Sequence, residues 1–358
     1  MPTLPDPVLT PFPTEEQSAP WPTTAFERAT PPDGLELDAL LDAVMDPDGP
    51  IRTTYAALVL LGGRIVAERY GGTLPSFTHE PTPVEPSTPL LSWSMAKSML
   101  AVVVGILVDR GELDLDAPAG VPEWRTPGDP RGAITLRNLL EMRDGLDFVE
   151  DYTDERASDV IEMLFGSGQA DMAHFAADRP LAAEPDTRFN YSSGTTNIIA
   201  RLVGDHLGGA DAMASFLADE LFGPLDMRSA TPTFDEAGTF IASSYVHATA
   251  EDFARFGLLM LRGGVANGRR IVSESWMNYQ RTPRSIDPED GDLYSAQFWV
   301  TDDGRGTYSA HGYEGQRIIA APALDLVIVR LGSTPADRSE HLRAWEDAVL
   351  DAVAGATS

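Results

Sequence analysis

Residues 94–108 read SMAKSMLAVVVGILV, and every residue from Met99 to Val108 is apolar or glycine. A helix that is apolar on nearly all sides is normally buried in the interior of a protein. The run is too short to span a bilayer, which needs about 20 apolar residues. The segment therefore predicts a buried central helix that begins near Ser94 and carries Lys97 in its first turn.

Strand patterns lie on both sides of this helix, towards the two ends of the chain. Residues 56–61 and 64–70 are rich in aliphatic side chains and flank Gly62-Gly63, a two-residue hairpin signal. Four more strands are expected towards the C-terminus, followed by an amphipathic helix at 338–353. These strands lie at 296–301, 307–311, 317–321 and 326–331.

Helical patterns dominate the middle of the chain, at 136–142, 158–165, 195–207 and 250–261. The arrangement predicts an α+β protein: one antiparallel sheet built from both termini and flanked by helices, with a mainly helical inserted lobe. We expect residues 35–115 and 272–358 to form the lobe that contains the sheet, and residues 116–271 the helical lobe. The Pro- and Thr-rich residues 1–34 predict an extended N-terminal arm.

The charge of the chain is strongly negative: 55 acidic residues face 26 basic ones, a formal net charge of −29. Such a surface repels phosphate backbones and anionic lipids, so neither nucleic acid nor membrane is an expected partner. The sequence contains no cysteine, which excludes disulfides and thiolate chemistry. Its first residues carry neither a basic nor an apolar region, so no secretory signal is predicted and a cytoplasmic location is expected.

Lys97 is the only lysine in the chain, since all other basic residues are arginines. Positions i and i+3 share a helix face, so the Ser94 hydroxyl and the Lys97 ammonium can meet. Burial lowers the pKa of a lysine towards neutrality, and a neutral amine can accept a serine proton. The helix N-terminus adds backbone N–H groups suited to an oxyanion. Because Ser-x-x-Lys also arises by chance, the buried position is what favours a catalytic interpretation.

Two later segments carry side chains that fit the same chemistry. Residues 189–194 read FNYSSG, and the Tyr191 hydroxyl beside a lysine can be held near its phenolate form and relay a proton. The structural alternative is an aromatic residue before a helix that Ser193 caps. Residues 311–316 read HGYEGQ, where glycine lets a substrate approach the backbone and an N–H can complete an oxyanion hole. The structural alternative there is a plain hairpin connection.

The order Ser-x-x-Lys, Tyr-Ser-Ser and His-Gly-Tyr resembles that of the penicillin-recognising serine hydrolases. It is most similar to class C β-lactamases, family VIII carboxylesterases and 6-aminohexanoate-dimer hydrolases. The resemblance covers nearly the whole chain from about residue 50 and implies the β-lactamase/transpeptidase-like fold. It assigns Ser94 as the nucleophile, Lys97 as its base partner and Tyr191 as the proton relay. The implied oxyanion hole consists of the N–H groups of Ser94 and of a residue near Tyr313.

The loop at 142–152, MRDGLDFVEDY, is most similar to the 6-aminohexanoate-dimer hydrolases. Their pocket uses an acidic residue and a tyrosine of this loop, which fall on Glu150 and Tyr152, and a tryptophan that falls on Trp299. A carboxylate suits a substrate ammonium, and the two rings suit aromatic walls. In so acidic a chain, the alternative is a solvated acidic loop and a core tryptophan.

Two departures from the family pattern bear on the substrate. Ser193 stands where an asparagine is frequent, which keeps a hydroxyl and loses an amide. His311-Gly312-Tyr313 stands where β-lactamases have Lys-Thr-Gly, whose lysine helps to hold the substrate carboxylate. A histidine that is neutral at pH 7 does this poorly. The sequence therefore favours small linear amides or esters, with Ser193, His311 and Gly312 contributing to the substrate site.

Other classes of function are open or excluded to different degrees. A β-lactamase or D-alanyl-D-alanine carboxypeptidase, and a non-catalytic penicillin-binding module on the same fold, remain alternatives. An α/β-hydrolase needs Gly-x-Ser-x-Gly, which the sequence lacks. The six histidines have no zinc-binding spacing, so neither a metal nor a cofactor is expected. The expected partner is a small-molecule amide or ester, and a homodimer is left open.

Overall fold

The computed structural model describes the whole chain except residues 1–3, 6–8, 15–18, 76–79, 153–157 and 358. The described residues contain ten α-helices: α1 Asp38–Met45, α2 Met95–Asp109, α3 Leu136–Leu140, α4 Asp159–Phe165, α5 Met172–Ala177, α6 Ser193–Leu207, α7 Ala210–Phe216, α8 Ala250–Leu261, α9 Glu274–Gln280 and α10 Ser339–Thr357. None of the described helices is long and apolar enough to cross a membrane.

The strands of the described residues follow one another in this order: β1 Thr53–Leu61, β2 Arg64–Tyr70, β3 Thr73–Leu74, β4 Thr82–Pro83, β5 Leu90–Leu91, β6 Thr231–Pro232, β7 Val246–Ala248, β8 Val265–Ala266, β9 Arg269–Arg270, β10 Ser285–Ile286, β11 Leu293–Tyr294, β12 Trp299–Val300, β13 Tyr308–Gly312, β14 Gln316–Ala321 and β15 Leu326–Ser333. Eight of them form the main sheet, in the order β10–β11–β12–β13–β14–β15–β1–β2.

Every pair of neighbours in the main sheet is antiparallel. The β1–β2 hairpin turns through Gly62 and Gly63, both at positive φ, which glycine adopts without a steric penalty. β1 pairs with β15 from Thr53 to Leu61, so the two ends of the chain meet in the sheet. The prediction of one antiparallel sheet built from both termini is confirmed.

Helices cover both faces of this sheet because side chains along a strand alternate between its faces. Val59 of β1 faces the core that includes residues of α1 and α10. Leu58, its neighbour, faces the larger core that includes α2 and α8. A Cβ on Gly257 of α8 would lie 2.5 Å from the Val327 side chain, so this helix approaches the sheet closely. The segment 116–271, predicted as a helical lobe, therefore contributes one helix to the layer that covers the sheet.

The central helix α2 begins at Met95, and all its residues up to Leu107 are buried. It contacts β13 and β14 of the sheet on one side and α6 on the other. The prediction of a buried helix that begins near Ser94 is confirmed. Because α2 lies between the sheet and α6, side chains of its first turn can meet residues from both.

The predicted strand at 296–301 is shorter in the structure, where β12 spans only Trp299–Val300. The backbone at Gln297 has φ of 63°, which interrupts an extended strand. The Gln297 amide accepts a hydrogen bond from Thr196 Oγ1 and donates one to the Leu140 carbonyl. Burial of this side chain between α3 and α6 explains the interruption.

The described part of the N-terminal segment lies against the sheet lobe. Ala19, Trp21 and Phe26 are buried, and Arg28 forms an isolated bridge with Ile65 of β2. Apolar residues of this segment therefore add to the core that covers the α2 face of the sheet.

Candidate active site

Ser94 immediately precedes α2, and its hydroxyl makes no capping hydrogen bond. A serine at this position usually accepts a hydrogen bond from a backbone N–H of the first turn. Here Ser94 already has helical angles, φ −64° and ψ −6°. The preceding Trp93 has φ of 45°, which is uncommon for a residue other than glycine. The sharp turn leaves the Ser94 hydroxyl available to the side chain of Lys97.

The Lys97 ammonium is 1% exposed and donates three hydrogen bonds. Its Nζ lies 2.9 Å from Ser94 Oγ, 2.9 Å from Ser193 Oγ and 3.0 Å from the Ser243 carbonyl oxygen. Burial lowers the pKa of Lys97 to about 8, and the negative charge of Glu150 acts in the opposite direction. An amine with this pKa can exchange a proton with a neighbouring hydroxyl near neutral pH.

The N-terminus of α6 supplies the acceptors on the far side of Lys97. Ser192 caps this helix by accepting from the Thr195 N–H at 3.0 Å, so the alternative in which Ser193 is the cap is wrong. Ser193 is the first helical residue and directs its hydroxyl to Lys97. One turn later, Asn197 Oδ1 accepts from the Ser243 N–H at 3.1 Å and holds that segment in place. α6 therefore positions two of the three acceptors of the ammonium.

Tyr191 lies beside the ammonium, with Lys97 Nζ 5.0 Å from the centroid of its ring. The ring stacks on Trp299 at 5.6 Å. Burial and the charge of Glu150 raise the pKa of Tyr191 far above its ordinary value, while a hydrogen bond with Ser94 opposes this shift. The prediction of a near-phenolate Tyr191 is therefore wrong for the free protein, in which the residue is a neutral phenol.

The end of β13 approaches the turn that precedes α2. A Cβ on Gly312 would lie 2.5 Å from the Ser92 carbonyl oxygen, so only glycine fits here. The Tyr313 ring then packs edge-on against Trp93, with centroids 5.3 Å apart. These contacts place the Gly312 backbone against the turn that precedes Ser94, and an oxyanion hole requires backbone N–H groups that lie close together.

Glu150 and Tyr152 also reach this site. The Glu150 carboxylate accepts hydrogen bonds from the Ser193 N–H at 2.8 Å, the Ser193 hydroxyl at 2.6 Å and the Tyr152 hydroxyl at 2.7 Å. The Tyr152 ring lies 4.5 Å from the Tyr313 ring, centroid to centroid. Glu150 is thus bound within the site, which does not fit the alternative of a solvated acidic loop.

His311 and Trp299 stack face to face, with centroids 5.5 Å apart. Successive residues of β13 alternate between the two faces of the sheet, so His311 lies on the face opposite to that of Gly312. The His311 Nε2 lies 2.8 Å from Ser309 Oγ, which is on the same face. Burial and the nearby charges of Arg317 and Arg343 hold the pKa of His311 well below its ordinary value. His311 is therefore neutral at pH 7 and provides no cation for a substrate carboxylate.

Some residues that shape the site carry no motif in the sequence. The Ser243 carbonyl accepts from Lys97, and the guanidinium of Arg330 donates to the carbonyl oxygens of Glu314 and Gly315, directly after Tyr313. A backbone acceptor depends on no particular side chain, so sequence patterns cannot reveal it. Within the described part of the chain, no cluster of His, Asp or Glu side chains is able to hold a metal ion.

A family model described as Beta-lactamase matches residues 37–352. The chain belongs to the beta-lactamase family. A curated relative, the 6-aminohexanoate-dimer hydrolase of Paenarthrobacter ureafaciens, is 32% identical over 359 residues, which cover 92% of this chain and 86% of the relative. The chain is accordingly a serine hydrolase of this family.

Solved structures of other proteins agree with the fold. A Bacillus anthracis protein provisionally named a 6-aminohexanoate-dimer hydrolase has a TM-score of 0.73 at 21% identity, over 94% of this chain and 89% of that protein. A family VIII carboxylesterase has a TM-score of 0.65 at 15% identity, over 90% and 99% of the two chains. The predicted β-lactamase/transpeptidase-like fold is confirmed.

Proposed function

We propose that this serine hydrolase cleaves small linear amides or esters through an acyl-enzyme on Ser94. The observation that carries the proposal is the 2.9 Å hydrogen bond from the buried Lys97 Nζ to Ser94 Oγ. Because burial lowers the pKa of Lys97 to about 8, part of the amine is neutral near pH 7. A neutral amine at hydrogen-bond distance is the group that activation of a serine requires.

The proposed acylation step moves protons through the three central side chains. Ser94 Oγ forms a bond to the substrate carbonyl carbon while its proton passes to Lys97. The resulting oxyanion accepts hydrogen bonds from the N–H groups of Ser94 and Tyr313. The neutral Tyr191 phenol donates its proton to the leaving nitrogen or oxygen, and Lys97 returns a proton to Tyr191. Water releases the acyl group by the reverse sequence and restores the Ser94 hydroxyl.

Linear amides or esters are the proposed substrate class for two reasons. His311 is neutral and stacks on Trp299, so it supplies no positive charge for the carboxylate that a β-lactam or D-alanyl peptide carries. The rings of Trp93, Tyr152 and Tyr313 pack together at the Ser94 turn and offer an apolar wall to an aliphatic chain. The similarity to a curated 6-aminohexanoate-dimer hydrolase supports the same class.

The nucleophile is tested by Ser94→Ala with a p-nitrophenyl ester as substrate. We expect kcat/KM to fall at least about a thousandfold, because the acyl-enzyme cannot form. Ser98→Ala is the matched control: this serine lies one turn further along α2 and donates to the Gln297 carbonyl at 2.7 Å. Full activity of Ser94→Ala, or equal losses in the two variants, would refute the assignment.

The substrate class is tested by comparing a p-nitrophenyl ester, a linear 6-aminohexanoate dimer and a chromogenic β-lactam. We expect turnover of the ester or the linear amide and slow or absent turnover of the β-lactam. Fast β-lactam hydrolysis without ester or amide hydrolysis would overturn the proposed class. A Ser94 adduct that forms and never turns over, detected by mass spectrometry, would instead indicate a binding module.

A further inference from the structure

A chain of hydrogen bonds leads away from Lys97 on the side opposite Ser94. Lys97 Nζ donates to Ser193 Oγ at 2.9 Å, and the Ser193 hydroxyl donates to Glu150 Oε1 at 2.6 Å. A serine hydroxyl has one proton, so the bond to Glu150 leaves only its lone pairs to face the ammonium. The carboxylate therefore fixes Ser193 as an acceptor towards Lys97.

Groups of the protein itself take three of the about four acceptor sites of the Glu150 carboxylate. Its Oε2 accepts from the Ser193 N–H at 2.8 Å, and its Oε1 also accepts from the Tyr152 hydroxyl at 2.7 Å. The N–H belongs to the first residue of α6, where the partial positive charge of the helix favours an anion. These partners indicate a fixed internal carboxylate, in contrast to the substrate-binding role that the family resemblance implies for this residue.

We propose that Glu150 is a positioning residue of the catalytic base, which orients Lys97 through the Ser193 hydroxyl and keeps a negative charge beside its ammonium. This inference rests on the proposed role of Lys97 as the base. The titratable groups that face Lys97 among the described residues are Glu150 and the neutral Tyr191 phenol; its other partners are the hydroxyls of Ser94 and Ser193 and the Ser243 carbonyl.

The charge of Glu150 opposes the effect of burial on Lys97. Burial alone favours the neutral amine, while the nearby carboxylate favours the ammonium, and the two together hold the pKa of Lys97 at about 8. Without the carboxylate, the amine would lose its proton at a lower pH and would be a weaker base. In Glu150→Gln, the amide N–H can also donate to Ser193, which would turn the serine hydroxyl towards Lys97 as a donor.

The single lysine allows a direct test by NMR. Protein labelled with ¹³C at lysine Cε gives one side-chain resonance, whose pH titration reports the Lys97 pKa without requiring turnover. We expect the midpoint of Glu150→Gln to lie about one pH unit or more below that of the wild type. Glu150→Asp retains the charge and should titrate nearer to the wild type. Asp147→Asn, an exposed carboxylate of the same loop, is the matched control and should not shift the midpoint.

Kinetics separate positioning from substrate binding. With an uncharged p-nitrophenyl ester, Glu150→Gln should lower the plateau of kcat about tenfold or more, leave KM nearly unchanged and move the alkaline rise of the pH profile to lower pH. A residue that bound a substrate ammonium would instead raise KM for the linear aminohexanoate dimer alone. A coincident titration of Glu150→Gln and wild type would overturn the inference.

Two further measurements keep the inference testable. If Glu150→Gln does not fold, Ser193→Ala provides a second variant, because it removes the hydroxyl between Glu150 and Lys97. The Lys97 titration of Ser193→Ala should also move to lower pH. An unshifted titration would refute the chain of contacts. Retained ester hydrolysis by Ser94→Ala would refute the proposed function itself. An inactive Ser94→Ala together with unshifted lysine titrations would refute only the role of Glu150.

Discussion

Lys97 and Arg330 are two fully buried cations that approach the proposed oxyanion hole from different sides. Lys97 lies behind Ser94 and has three acceptors, of which two are serine hydroxyls. Arg330 lies behind Tyr313 and donates to three carbonyl oxygens and two threonine hydroxyls, namely those of Thr53, Glu314 and Gly315 and of Thr54 and Thr334. Burial lowers the pKa of both, to about 8 for Lys97 and to about 9 for Arg330.

The difference between them lies in their partners. A guanidinium offers five donors in a rigid plane, and backbone carbonyls accept from Nη1 and Nη2 of Arg330, while its Nε donates to the Thr54 hydroxyl. Two of the three partners of the Lys97 ammonium are instead serine hydroxyls, and the hydroxyl of Ser94 is the proposed nucleophile, which must lose its proton. Burial alone therefore does not make a cation reactive. The same substitution at both positions, to the apolar methionine, separates the two roles.

The largest expected effect is on the activity of Lys97→Met. Without an amine to accept the Ser94 proton, kcat/KM for a p-nitrophenyl ester should fall about a thousandfold, which is within the range attributed to general-base catalysis. Steady-state kinetics at pH 8 measure this loss. Activity within tenfold of the wild type would show that Lys97 is a structural cation like Arg330, and the comparison would then fail.

The next effect is on the stability of Arg330→Met. Loss of the guanidinium removes its hydrogen bonds to the carbonyls of Thr53, Glu314 and Gly315 and to the threonine hydroxyls, which should lower the free energy of unfolding by about 3 kcal/mol. Lys97→Met should lower it by less, about 1 kcal/mol, because the amine donates to one carbonyl, that of Ser243, and its other two partners are hydroxyls that can bond elsewhere. Urea denaturation of both variants provides the measurement. Equal losses of stability would remove the proposed distinction.

The smallest effect is the pH dependence of the wild type. Lys97 must be neutral to act as a base, so kcat/KM should fall about tenfold for each pH unit below a midpoint near 8 and level off above it. The profile is measured from pH 6 to 9.5 with an uncharged ester, and the residual rate of Lys97→Met should lack this limb. A midpoint near the ordinary lysine value would contradict a desolvated base.

Local patterns explain which parts of the structure could be predicted. The apolar run at 99–108, the Gly62-Gly63 turn and the mostly apolar segments of β14 and β15 each involve only a few neighbouring residues, and these elements were predicted close to their observed bounds. β10 and β11 contain two residues each, too few for a period of two to appear. Gln297 interrupts a strand pattern because its side chain satisfies groups on α3 and α6, a demand set by distant residues.

The contacts of the site also differ in whether a local sequence pattern could predict them. Ser94 and Lys97 could be paired from helical spacing, since the i and i+3 positions of one helix share a face whatever the rest of the fold. The contact between Glu150 and Ser193 joins a loop to a helix 43 residues later, so no local pattern contains it. The protonation state of Tyr191 depends on how completely α6, the loop and Trp299 enclose it, which only packing determines.

Because the only lysine lies beneath α6, chemical labelling of its amine can report local opening of the site. No other side chain of this protein carries a primary amine, and this one is enclosed in the folded state. Side-chain labelling by an amine-reactive reagent therefore requires the first turns of α2 and α6 to separate. The rate at which Lys97 gains the mass of the label therefore measures how often the catalytic centre opens.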